Sequence, residues 1–219
     1  MKKILAAIVI LILAGGLGAA RFGPTTEVKR VYYYSPVWSP DQKSVAYFKR
    51  TMDYTYETAY WHLSNVTPDR TYSFKADSVE LVVRDIAASK ENVIKKFDNS
   101  TGKVDPTDLG SFDAKIGWYT KGYLQYCLVS MGFAKEIDSG NHFIRPDGKG
   151  DTWDSPSYDA RSKIIDSFPS FMKNKELYPV TMSSDVFMLD HDAKTVKRLF
   201  GDGRETVPKY RPHQATQDQ

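Results

Sequence analysis

The densest group of oxygen ligands in this chain is Arg145-Pro146-Asp147-Gly148-Lys149-Gly150-Asp151-Thr152-Trp153-Asp154, with three carboxylates within eight residues and two glycines between them. Carboxylates on such a loop could hold calcium, but the spacing is not that of an EF-hand and Lys149 repels a cation. A plain turn accounts for the same residues. The second chemical feature is aromatic. In TMDYTYETAYWHLSNVTPDRTYSF, strand alternation puts Tyr54, Tyr56 and Tyr60 on one side and Trp61 on the other. A row of that kind grips a protein partner or a sugar, or else packs under its own neighbour. Trp153 adds a candidate contact outside this row.

Nucleophilic and acid–base chemistry finds little support. His62 has no second histidine or cysteine nearby, and the single Cys127 lies in the apolar run GYLQYCLVS with no basic partner beside it. The chain has no G-x-S-x-G elbow, no H-E-x-x-H, no G-x-x-x-x-G-K-[ST] loop and no G-x-G-x-x-G fingerprint. The expectation is a non-enzymatic protein without a cofactor or metal.

These residues must be positioned by β structure. Aromatic residues make up 13% of the 219, including 14 Tyr, a bias that suits half-buried strands. A chain of this length can bury one sizeable core, and a lone cysteine leaves that core to packing alone. The first twenty residues, MKKILAAIVILILAGGLGAA, combine Lys2 and Lys3 with an apolar run and a small-residue end. They predict a bacterial-type export signal cut after Ala20, or a retained membrane anchor, and in either case place the body outside the cytoplasm. Removing residues 1–20 takes two of the 30 Lys and Arg and none of the 27 Asp and Glu, so the net charge falls from +3 to +1. No basic stripe with interleaved aromatics remains to suggest nucleic-acid binding.

In VWSPDQKSVAYFKR, Pro40 presets φ for a β-turn and Asp41 can bond nearby amides, so two strands meet there with Trp38 just before the turn. W-S-P-D-Q-K-S-V-A-Y resembles the W-S-P-D-G-K-x-[IL]-A-[FY] signature of the TolB-type, WD-repeat-like β-propeller repeat, found in periplasmic TolB and in prolyl-oligopeptidase-like peptidases. Gln42 stands where that family has Gly, and a side chain there carries a steric penalty or forces a different turn. The second half of the signature, a strand closed by Asp, occurs as ELVVRD ending at Asp85 and DVFMLD ending at Asp190. Upstream of the latter, IGWYTKGYLQYCLVS is similar to the first hairpin, with Trp118 in the place of Trp38.

The resemblance implies an incomplete propeller-like arrangement of two antiparallel sheets over residues 21–200, with repeat units 28–98 and 112–200. Residues 51–78 and 131–184 read as insertions on one face, the second carrying one or two short amphipathic helices around Ile164–Met172. Residues 201–219 read as a mobile or partner-ordered tail. Two units cannot close a ring, since propellers use about 4–8 blades and repeat folds need about three to bury one another. The expectation is therefore a cell-envelope binding or scaffold protein acting by protein association or self-association, either free or as an accessory subunit of a membrane assembly. A small-ligand module for carbohydrate or peptide, and a degenerate relic of a propeller-containing hydrolase, are the alternatives.

Overall fold

The computed structural model describes residues 21–60, 69–98, 112–119, 123–130, 141–154, 171–179 and 182–212. Among these there is no helix. The expected signal or anchor, Trp61, His62 and residues 155–170 of the expected helical stretch lie outside them.

Among the described residues, thirteen strands form three antiparallel sheets, not the two expected. The first contains β2 (Thr26–Trp38), β3 (Ser44–Tyr60), β4 (Asp69–Asp85) and β5 (Lys90–Asp98), with β1 (Arg21–Phe22) pairing with the far end of β3. The second runs β6 (Phe112–Tyr119), β7 (Tyr123–Ser130), β8 (Asn141–Ile144), β9 (Thr152–Asp154). The third runs β10 (Phe171–Met172), β11 (Lys175–Tyr178), β12 (Asp185–Asp190), β13 (Thr195–Gly201).

The miscount has a clear origin. The segment 131–184, read as an insertion, supplies four strands, β8 to β11, and so splits the expected second unit into two meanders. Phe171 and Met172, expected at helical spacing, instead pair in a strand with Glu176 and Lys175. The segment 51–78 continues the hairpin, as β3 and β4 keep pairing from Ser44↔Asp85 out to Ala59↔Asp69, with one bulge near Asp53.

The first sheet lies between the other two. Tyr32 and Tyr34 send their rings to a cluster containing Ala114, Ile116, Trp118, Leu124 and Ile144 of the second sheet. Tyr33, between them, points the other way, toward Leu177, Val186 and Phe200 of the third. On β3, Ala46 and Phe48 follow the first direction and Val45 and Tyr47 the second, as the two-residue period of a strand requires. A strand buried on both faces has to be apolar at consecutive positions, and this accounts for the unbroken run Val45-Ala46-Tyr47-Phe48. Tyr33 also exchanges two backbone hydrogen bonds with Ser183, at 2.7 and 3.0 Å, tying the first sheet to the start of β12.

The quoted turn forms as its residues dictate. Gln42 N donates to Ser39 O at 2.8 Å, Asp41 Oδ1 accepts from Lys43 N at 3.1 Å, and Gln42 is left-handed at φ 59°. The turn expected in the 145–154 loop takes the same form, between β8 and β9. There Gly148 N donates to Arg145 O at 2.8 Å, Asp147 Oδ1 accepts from Lys149 N at 3.0 Å, and Gly148 takes φ 81°. Pro-Asp-Gly-Lys at 146–149 is thus the second copy of Pro-Asp-Gln-Lys at 40–43.

Residues 202–212 are held against the third sheet. The fully buried Asp185 accepts from Gly203 N at 2.9 Å and Glu205 N at 2.7 Å, and Glu205 in turn accepts from Ser184 N at 3.0 Å. Farther along, the Arg211 guanidinium covers the Tyr178 ring at 4.5 Å.

Candidate binding face

Beyond the three-layer core, β2, β3 and β4 continue as a ribbon, and the two-residue period sorts their side chains onto two unlike faces. One face is aromatic and cationic. Tyr56 and Tyr72 are paired across β3 and β4, with ring centroids 5.9 Å apart and planes at 47°. Tyr54 stands 6.1 Å from Tyr72 at 59°. The Arg70 guanidinium lies over Tyr56 at 5.1 Å, and Arg30 Nη1 donates to Tyr32 Oη at 3.0 Å. That bond holds the Arg30 guanidinium above its ordinary pKa, while burial pushes the Tyr54 phenol up.

The opposite face is a ladder of exposed charge pairs. Lys75 meets Glu27 at 2.8 Å, Lys29 meets Asp53 at 3.8 Å, and Thr25 Oγ1 donates to Glu57 at 2.9 Å. Exposed pairs of this kind contribute little to stability, and their value here is to keep that face hydrated.

Of the residues expected to bind, the structure brings Tyr54 and Tyr56 together, Tyr54 buried and Tyr56 half-buried. Tyr60 is on the same strand, its backbone paired with Arg21. Trp61 is outside the described residues. Trp153 belongs to another sheet, on β9 opposite His142. Tyr32, Arg30, Arg70 and Tyr72 had been passed over. The alternation in Arg70-Thr71-Tyr72-Ser73 was the signal, but its pairing with Tyr56 depends on a register that local sequence does not define.

The residues of the repeat motif are structural. Trp38 is buried between the first and third sheets and Trp118 between the first and second. Pro40 and Asp41 are exposed at the turn, and Asp85 and Asp190 close β4 and β12.

One further polar cluster ties the first sheet to the second. Asp151 accepts from Lys95 Nζ at 2.5 Å and from Tyr126 Oη at 3.2 Å, and lies 3.5 Å from His142 Nδ1. Tyr126 and His142 stack at 5.0 Å. Together with Asn92 Nδ2 donating to Pro146 O at 2.9 Å, this network seats the 145–151 loop on β5. Asp147 and Asp151 are therefore engaged in a turn and an intersheet bridge.

Comparison with known proteins found no matching protein family, no similar curated protein and no similar solved structure.

Proposed function

We propose that this chain is an exported, non-enzymatic binding or scaffold protein of the cell envelope, built as an incomplete TolB-like propeller and working by association with a protein partner. The observation that carries this reading is the Tyr/Arg face of the β2–β4 ribbon, which continues outward from the core cluster and joins Tyr54 and Tyr56 to Tyr72, Arg30 and Arg70. Tyr and Arg are the residue types that dominate interface energetics, because they offer large rigid contact area and directed hydrogen bonds.

Support for the repeat comes from local geometry. Each of the three sheets contains a four-stranded antiparallel meander, the unit from which propeller blades are made. The Pro-Asp turn and the Asp-closed strand each occur twice. Three such units fall short of a closed ring, so covering their outer surfaces is a natural task for a partner.

The test is to tag the C-terminus, extract the protein from native membranes in mild detergent, and measure the mass of the species that carries it and the state of residues 1–20. Migration in a large assembly is the expected result. A soluble monomer lacking residues 1–20 would defeat the scaffold reading.

A further inference from the structure

The β4 strand has two different edges. From Ser78 to Asp85 it pairs with β3 on one side and β5 on the other, whereas residues 69–77 pair with β3 alone among the described residues. This leaves about 30 Å of strand edge whose outward N–H and C=O groups face no described strand. The edge borders the Tyr/Arg face, since Arg70 and Tyr72 lie on it.

Charge separates the two faces of this ribbon. Past Met52, the charged side chains described on the aromatic face are Arg30 and Arg70, while Glu27, Asp53 and Glu57 lie on the opposite face together with Lys29 and Lys75. The nearest carboxylate on the aromatic side, Asp77, is buried and bonded to Arg50 at 2.9 and 2.8 Å. Arg70 is exposed and makes no ion pair among the described residues. Its guanidinium, 5.1 Å from the Tyr56 ring centroid, carries the planar fork of N–H donors that binds a carboxylate through two parallel hydrogen bonds.

Resting on the scaffold reading above, we propose that the β4 edge at residues 69–77 and the adjoining Tyr/Arg face form one docking surface for an extended acidic polypeptide strand. Main-chain hydrogen bonds to residues 69–77 supply affinity, and an Asp or Glu side chain of the docked strand reaches Arg70, which lies on β4 itself. Tyr54 is buried and the half-buried Tyr56 and Tyr72 rings are inclined by 47°, so this face presents no flat platform for a sugar.

The experiment is fluorescence-anisotropy titration of the purified protein with a labelled ten-residue peptide alternating Glu and Thr. A Lys-Thr peptide and polygalacturonate serve as comparators. The expected result is binding of the Glu-Thr peptide that weakens with added salt and falls about tenfold in Arg70→Glu, with Arg70→Lys intermediate. Unchanged thermal midpoints show that these exposed variants are folded. Equal binding of the Lys-Thr peptide, indifference to Arg70→Glu, or binding of polygalacturonate in place of the peptide overturns the proposal. A native assembly that survives in Arg70→Glu also overturns it, yet leaves the scaffold reading intact. A native monomer with tight, Arg70-dependent peptide binding does the reverse.

Discussion

Asp85 and Asp190, 105 positions apart and in different sheets, each close a strand and accept a hydrogen bond from the amide three residues on, Ala88 at 2.8 Å and Ala193 at 2.9 Å. The residue after each alanine is left-handed, Ser89 at φ 53° and Lys194 at φ 52°. Each hairpin also carries a bulge at the equivalent place, between Leu81 and Val82 and between Val186 and Phe187. The carboxylate therefore does the same work in both, satisfying a turn amide that no strand partner reaches. Asp85→Ala and Asp190→Ala are each expected to lower unfolding free energy by about 0.5–1.5 kcal/mol in urea titrations, nearly additively because the sites are far apart.

Gln42 occupies a left-handed position suited to glycine, and its Nε2 is buried without a hydrogen-bond partner among the described residues. Both features oppose folding. Gln42→Gly is expected to stabilise the protein by about 1 kcal/mol, seen as a raised urea midpoint with unchanged slope.

Arg50 and Asp77 form a doubly hydrogen-bonded ion pair in the core, with Arg50 only 1% exposed. Burial acts to lower the arginine pKa, and the bonds to Asp77 outweigh it and leave the group raised. Removing one member strands the other charge out of water. Asp77→Ala is expected to cost about 3–5 kcal/mol, and an Arg50→Met, Asp77→Leu double variant to recover most of it, as measured by a double-mutant cycle.

Glu91 accepts from Lys49 Nζ at 2.7 Å, Tyr47 Oη at 2.9 Å and Arg84 Nη1 at 2.9 Å. Burial raises its pKa, but the Lys49 and Tyr47 bonds prevail and hold it below the ordinary 4.5. A depressed carboxylate contributes stability above its unfolded pKa and loses it as pH falls through the folded value. Wild type is expected to lose stability progressively below about pH 4.5. Glu91→Gln should flatten that acid limb while lowering stability at neutral pH. On the alkaline side, burial pushes the neighbouring Tyr33 phenol up to about 12 from 10.0. Its contribution is complete below pH 10 and lost as pH rises toward 12. Urea midpoints measured across pH should show both limbs, with Tyr33→Phe reducing the second.

Local chemistry made much of this protein legible. The Pro40-Asp41 turn, the strands on either side of it and the strands closed by Asp85 and Asp190 follow from φ restriction, Asp capping and two-residue alternation, all of which act within a few residues. The aromatic row of β3 was readable for the same reason. Pro146-Asp147-Gly148-Lys149 shows the limit, because the loop was read as a turn but its identity with the first turn emerged only from the shared hydrogen bonds.

What the sequence by itself determined was therefore a chain of hairpins. How many sheets they form was decided by tertiary structure, because short strands such as β8 to β11 persist only where neighbours satisfy their backbone and bury their apolar side. The composition of the Tyr/Arg face was decided there too. Tyr56 meets Tyr72, and Arg70 lies on the same face while Glu27 and Asp53 fall on the other, only in the observed β2–β3–β4 register. A slip of one residue would exchange the two faces, and nothing local to any one strand prevents it. The two-sided burial of the first sheet between the other two is what holds that register, through Tyr32, Tyr34, Phe48 and Leu81 on one face and Tyr33, Val45, Tyr47 and Val82 on the other.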